Sequence, residues 1–68
     1  MIHKTAIIDS TALISSNVKI GAYAIIDKNV SIGEGSIIKE HAVIRENTSL
    51  GKNNIVYQYY SFQEMYFL

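Results

Sequence analysis

Residues 20–38, IGAYAIIDKNVSIGEGSII, carry isoleucine at Ile20, Ile26, Ile32 and Ile38, an interval of six that fits neither the period of a helix nor the alternation of a long strand. The interval extends in both directions. Counted in sixes from Ile2, the first hexad position holds Ile2, Ile8, Ile14, Ile20, Ile26, Ile32, Ile38, Ile44, Leu50, Val56 and Phe62, apolar at every step. The fifth position runs Ala6, Ala12, Val18, Ala24, Val30, Ser36, Ala42 and Thr48, all small or β-branched. The fourth holds Asn17, Tyr23, Asn29, Gly35, His41, Asn47 and Asn53. Asn, Gly and His are the residues that best tolerate a positive φ, so every member of this column except Tyr23 suits a left-handed corner.

One geometry satisfies all three columns. Position five and the next position one lie two residues apart, so in a short extended segment both side chains point to the same side, one small and one large. The corner residue then turns the chain into the next segment. Three segments and three corners close a triangular coil of 18 residues, and coils stack at the strand spacing of roughly 4.8 Å. The expected fold is all-β, a parallel β-helix of hexapeptide repeats. It has three complete coils over residues 2–19, 20–37 and 38–55 and part of a fourth, about three and a half in all. Three repeats are about the minimum for a solenoid. The regular coils are expected over 1–55. The stretch 56–68, which holds every aromatic residue except Tyr23, is expected to be an irregular tail or a partial fourth coil. Tyr59, Tyr60, Met65 and Tyr66 suit neither a corner nor a small interior site, so this stretch either covers the open end or stays exposed.

Composition narrows the function classes. The chain has 68 residues and no cysteine, which removes disulfides and thiolate chemistry and makes a reducing cytosol the simplest setting. Six basic residues balance six acidic ones without clustering, so no nucleic-acid surface and no anionic-membrane surface is indicated. Polar residues interrupt every apolar run, which excludes a membrane-inserted helix, and the N-terminal residues do not form a signal peptide.

Several segments are more specific than the hexad frame. They are Ile2-His-x-Thr-Ala-Ile7, Val18-x-Ile-Gly21, Val30-x-Ile-Gly-Glu-Gly35, and Gly51-x-Asn-Asn-x-x-Tyr-Gln58 followed by Ser61 and Glu64. Over residues 1–64 the chain resembles the N-terminal coils of the UDP-N-acetylglucosamine O-acyltransferases, with the Tyr57-Gln58-x-x-Ser61 segment the narrowest marker. The hexad frame alone would also fit other hexapeptide-repeat acyl- and acetyltransferases. The resemblance implies a left-handed winding, an exception to the usual right-handed crossover. It also implies transfer of a 3-hydroxyacyl group from acyl carrier protein to the 3-hydroxyl of UDP-N-acetylglucosamine, the first step of lipid A biosynthesis, by a cytoplasmic homotrimer that uses a histidine base and no cofactor. In that family the histidine lies in coils that follow the part matched here. The family's Ser-Ile-Gly-Glu turn is followed, after two residues, by Gln-Asp, which helps bind the sugar nucleotide. Here Phe62-Gln63 stand for Ile-Gly, and Phe67 and Leu68 stand for Gln-Asp.

Candidate chemistry within the chain is sparse. His41 occupies the corner column, where a turn role is expected, and His3 belongs to the first coil, where a surface or end role is expected. Two coils separate them, roughly 10 Å by strand spacing, so they are not expected to share a metal. Gly33-Glu-Gly35 opens no helix and reads as coil corners rather than a phosphate loop. Lys4, Lys19, Lys28, Lys39, Arg45 and Lys52 are scattered as solvated outer positions, and Asp27 and Arg45 are placed to form an outer ladder pair. No catalytic, substrate-binding or metal-binding residue is assigned. Two readings follow: the N-terminal part of an acyltransferase that is inactive by itself, or a non-catalytic, trimerising β-helix. An ice-binding face fails because Thr5, Thr11 and Thr48 do not fall in register.

Overall fold

The structure, a computed structural model, describes residues 1–58 and, as backbone, the strands at 61–62 and 66–67. The Tyr59, Tyr60, Met65 and Leu68 positions discussed above lie outside the described residues. Eleven two-residue strands form three parallel sheets. The first sheet holds β1 (Ile7–Ile8), β4 (Ile25–Ile26), β7 (Val43–Ile44) and β10 (Ser61–Phe62). The second holds β2 (Leu13–Ile14), β5 (Ser31–Ile32), β8 (Ser49–Leu50) and β11 (Tyr66–Phe67). The third holds β3 (Lys19–Ile20), β6 (Ile37–Ile38) and β9 (Ile55–Val56), and an isolated bridge adds Ile2 beneath Ile20. The protein is therefore a parallel β-helix, all-β, as the hexad columns require, and it is left-handed, as the family resemblance implies.

The register keeps each column vertical. Ile20 pairs with Ile38 and Ile38 with Val56, while Ile14 pairs with Ile32 and Ile32 with Leu50. Amide-to-carbonyl bonds such as Ile7 N to Ala24 O at 2.9 Å and Gly33 N to Leu50 O at 2.8 Å tie each coil to the next. The last pairing departs from this step. Tyr66 faces Ser49 and Phe67 faces Leu50, one residue short of the interval that relates Ser61 to Val43.

Position one and position five together make the core. Ile20, Ile26, Ile32, Ile38, Ile44, Leu50 and Val56 are buried with Val18, Ala24, Val30 and Ala42. Each large aliphatic removed from water contributes about 1.5–3 kcal/mol, against the chain entropy lost on ordering. Ile2, although in the inward column, is 47% exposed, and Ile8 and Ile14 are half-buried or nearly so, because no coil among the described residues lies beneath the first. Among the described residues, two fully buried positions are polar, Ser36 and Thr48. The Ser36 hydroxyl donates to Gly51 O at 3.0 Å and accepts the Asn54 amide at 3.1 Å, which joins two coils from inside.

From Asn17 to Asn53 the corner column takes the left-handed region, whereas Thr5 and Thr11 at the same hexad position do not. Asn17, Asn29, His41, Asn47 and Asn53 have φ between 57° and 65°, and Gly35 has φ 79°. Tyr23, the residue least suited to a corner, adopts φ 59° as well. Its amide donates to Thr5 Oγ1 at 2.9 Å and its ring stacks on His41 with centroids 5.4 Å apart, contacts that offset the backbone cost. Gly33 differs from the expected corner role. Only Gly35 of that pair turns the chain with positive φ, whereas a Cβ on Gly33 would run into the Gly51 carbonyl of the next coil. Close approach of backbones, not turn conformation, requires glycine at 33.

Candidate functional site

The outer surface of the prism carries whatever chemistry the described residues have, because the interior is filled. Among the described residues, a groove of about 480 Å³ lies on the β3–β6 face, lined by His3, Gly21 and Lys39 of one column. Lys19, Ile37 and Glu40 form its rim. A Cβ on Gly21 would lie 2.8 Å from the Glu40 amide nitrogen, so the chain approaches itself closely here and glycine is required. The hexad pattern gives no sign of this groove, since it fixes the inward columns and leaves the outward ones free.

The two histidines lie along one edge of the prism. His3 Nδ1 is 2.9 Å from Thr5 Oγ1 and accepts the Thr5 amide at 3.2 Å. His41 turns the chain in the left-handed region and packs its ring on Tyr23 at an interplanar angle of 16°. The described contacts of the His3 ring are to Thr5, whereas a histidine base works with an orienting partner and a reachable substrate proton. No group of three or more His, Asp or Glu side chains able to hold a metal ion occurs among the described residues.

One hexad after His3, Asp9 builds the same corner with a carboxylate. Asp9 Oδ1 accepts the Thr11 amide at 2.9 Å and the Thr11 hydroxyl at 2.8 Å, and Thr11 Oγ1 in turn accepts the Asn29 amide at 2.8 Å. The bonds from Thr11, backbone first and hydroxyl second, with a contribution from the charge of Lys28, hold the Asp9 carboxyl below its ordinary value of 3.8. Further up this column Arg45 Nε lies 3.9 Å from Asp27 Oδ2 with both side chains partly exposed, the expected ladder pair, worth about 0–1 kcal/mol.

Two features escaped the reading of the sequence. Ile7 and Ile25 on β1 and β4 point outward and are 64% and 39% exposed, with Val43 of β7 continuing the column, so three strands of this sheet carry an apolar ridge. Adjacent Ile-Ile and Val-Ile pairs in the sequence contained the signal, since only the second member is needed for the core. Inside the prism, Asn54 Nδ2 is buried with no hydrogen-bond partner among the described residues. Asn54 continues the position-five column above Ser36, and its polarity is visible in the sequence only once that column is extended.

No helix among the described residues is long and apolar enough to cross a membrane. No curated protein matches the chain. The family model described as bacterial transferase hexapeptide (six repeats) matches residues 11–46. Among solved structures, LpxA from Acinetobacter baumannii is 46% identical over 85% of this chain, with a TM-score of 0.84. The UDP-N-acetylglucosamine O-acyltransferase of Moraxella catarrhalis is 44% identical over 90%, with a TM-score of 0.88. The UDP-N-acetylglucosamine acyltransferase of Francisella novicida is 42% identical over 91%, with a TM-score of 0.89. The chain spans 22–24% of the length of these three proteins. With its hexad columns, its triangular coils and the matched repeats, the chain belongs to the bacterial transferase hexapeptide family.

Proposed function

We propose that these residues are the N-terminal coils of an acyltransferase that moves a 3-hydroxyacyl group from acyl carrier protein to the 3-hydroxyl of UDP-N-acetylglucosamine, the opening step of lipid A biosynthesis in the cytoplasm. The observation that carries this reading is the joint match of backbone and sequence, TM-scores of 0.84–0.89 at 42–46% identity over most of the chain. The Tyr57-Gln58-x-x-Ser61 segment supports it at the residue level. Acyl transfer to a sugar hydroxyl needs a base for the hydroxyl proton and a site that holds both substrates in line. The described residues supply neither, so the role of these coils is to found the prism and to align subunits. The 68-residue polypeptide itself has no transferase activity.

Assembly as a homotrimer favours the outward ridge of Ile7, Ile25 and Val43, which a lone thin prism leaves in water. That same ridge supports the second reading, a β-helix that associates without catalysing. A chimera separates the two. Residues 1–58 replace the matching coils of the Acinetobacter baumannii enzyme, and transfer of a labelled acyl group to UDP-N-acetylglucosamine is measured. The acyltransferase reading predicts turnover within about tenfold of the parent, a barrier change of about 1.4 kcal/mol. A folded, trimeric chimera without turnover would favour the non-catalytic reading. In a parallel arm the 68-residue chain alone gives no product.

A further inference from the structure

We propose that His3 is a pH-responsive acceptor that holds the first corner of the β-helix, doing with an imidazole what Asp9 does with a carboxylate one hexad later. The two sites are built alike. Each acceptor stands at the second hexad position, each holds the threonine two residues on, and each threonine hydroxyl accepts the amide of the corner residue one coil above. In the first site that corner residue is Tyr23, a bulky side chain at φ 59°, so the bond from its amide to Thr5 Oγ1 braces a backbone that tyrosine rarely adopts.

The imidazole makes the difference. Because Nδ1 accepts the Thr5 amide, the neutral ring carries its proton on Nε2. A second proton can enter only at Nδ1. The cationic ring then has no lone pair for the Thr5 amide and can only donate to Thr5 Oγ1, reversing the sense of that contact. A carboxylate at Asp9 keeps its acceptor through the range in which histidine side chains exchange protons. The charged groups that face His3 are Lys19, Lys39 and Glu40 across the groove and the Met1 ammonium, which itself donates to Val18 O at 2.9 Å. Lys4 is its neighbour on the same segment. Acidification therefore breaks the Thr5 amide bond of the first corner while leaving the Thr11 amide bond of the second in place.

The test compares two corners within one molecule. Amide exchange of the 68-residue protein is followed by nitrogen-15 spectra at pH 8 and pH 5, with each rate divided by its intrinsic value at that pH. Thr5 protection should fall about fivefold at pH 5, the worth of one ordinary hydrogen bond, while Thr11 protection stays constant. In His3→Asp the Thr5 amide should behave like Thr11, protected at both pH values. In His3→Ala it should be unprotected at both. Equal behaviour of Thr5 and Thr11 in the wild type would overturn the proposal. So would an unchanged pH dependence in His3→Asp, since the titrating group would then lie elsewhere.

Discussion

Ile32 sits at the middle of the stack, with Ile14 below and Leu50 above, and is 1% exposed. Replacing it by Asp places a charge in a dry interior without a partner, at a cost of several kcal/mol. Folded domains are stable by only about 5–15 kcal/mol, so Ile32→Asp should not fold, and its circular dichroism should lose the β signal that the wild type has. Gly33 is the second sensitive point. A methyl at that position meets the Gly51 carbonyl and the Lys52 amide, both backbone and neither free to move aside. Gly33→Ala is expected to lower stability by about 1–3 kcal/mol in urea unfolding, the usual cost of overpacking. An unchanged midpoint would mean that the coils do not approach as closely as described.

At the scale of one hexad, the sequence discloses the interior and says little about the exterior. Position one must be large and position five small because three of each fill one triangular layer, and that demand recurs every 18 residues. The corner column is legible for the same reason, since a turn of fixed sign repeats at fixed spacing. Tyr23 shows the limit of this reading. Its backbone follows the column although its side chain is a poor corner former, because Thr5 and His41 hold it from either side. Gly33 carries a different lesson: glycine in a repeat can mark contact between coils rather than a turn, and spacing does not distinguish the two. The groove over Gly21 was not legible, because outward residues answer to solvent or a partner and to no internal period, and the Ile7 ridge left its trace only in the adjacent Ile-Ile and Val-Ile pairs.

The same scale governs two predictions. Ser36→Ala removes both the donor to Gly51 O and the acceptor of the Asn54 amide, leaving buried groups unpaired, so unfolding should become easier by about 1–3 kcal/mol. The Asp9 corner has a definite pH sign. Its folded carboxyl lies below the ordinary value of 3.8, so its stabilising contribution is fully present above that value and is lost as pH falls through the lower, folded one. Asp9→Asn should therefore flatten the acid limb of the stability curve. A wild-type curve and an Asp9→Asn curve that run parallel from pH 5 to pH 2 would contradict the assignment.

The whole molecule is a short prism with an outward apolar ridge on β1, β4 and β7. A chain of 68 residues buries a smaller share of its surface than a larger domain does, and the ridge of Ile7, Ile25 and Val43 adds area that a single copy leaves wet. On the trimer proposal, Ile25→Lys on the centre of that ridge should leave monomers in sedimentation, with the inward-facing Ile26 and the coil itself intact. Association unaffected by the lysine would move the interface to another face. The central claim lies beneath all of this: a stack of triangular coils with isoleucines meeting at intervals of 18. Methyl nuclear Overhauser spectroscopy of isoleucine-labelled protein tests it most directly. The account predicts contacts between Ile8 and Ile26, Ile26 and Ile44, Ile14 and Ile32, and Ile20 and Ile38. Absence of these four contacts in a folded sample, with amide contacts three and four residues apart in their place, would contradict it.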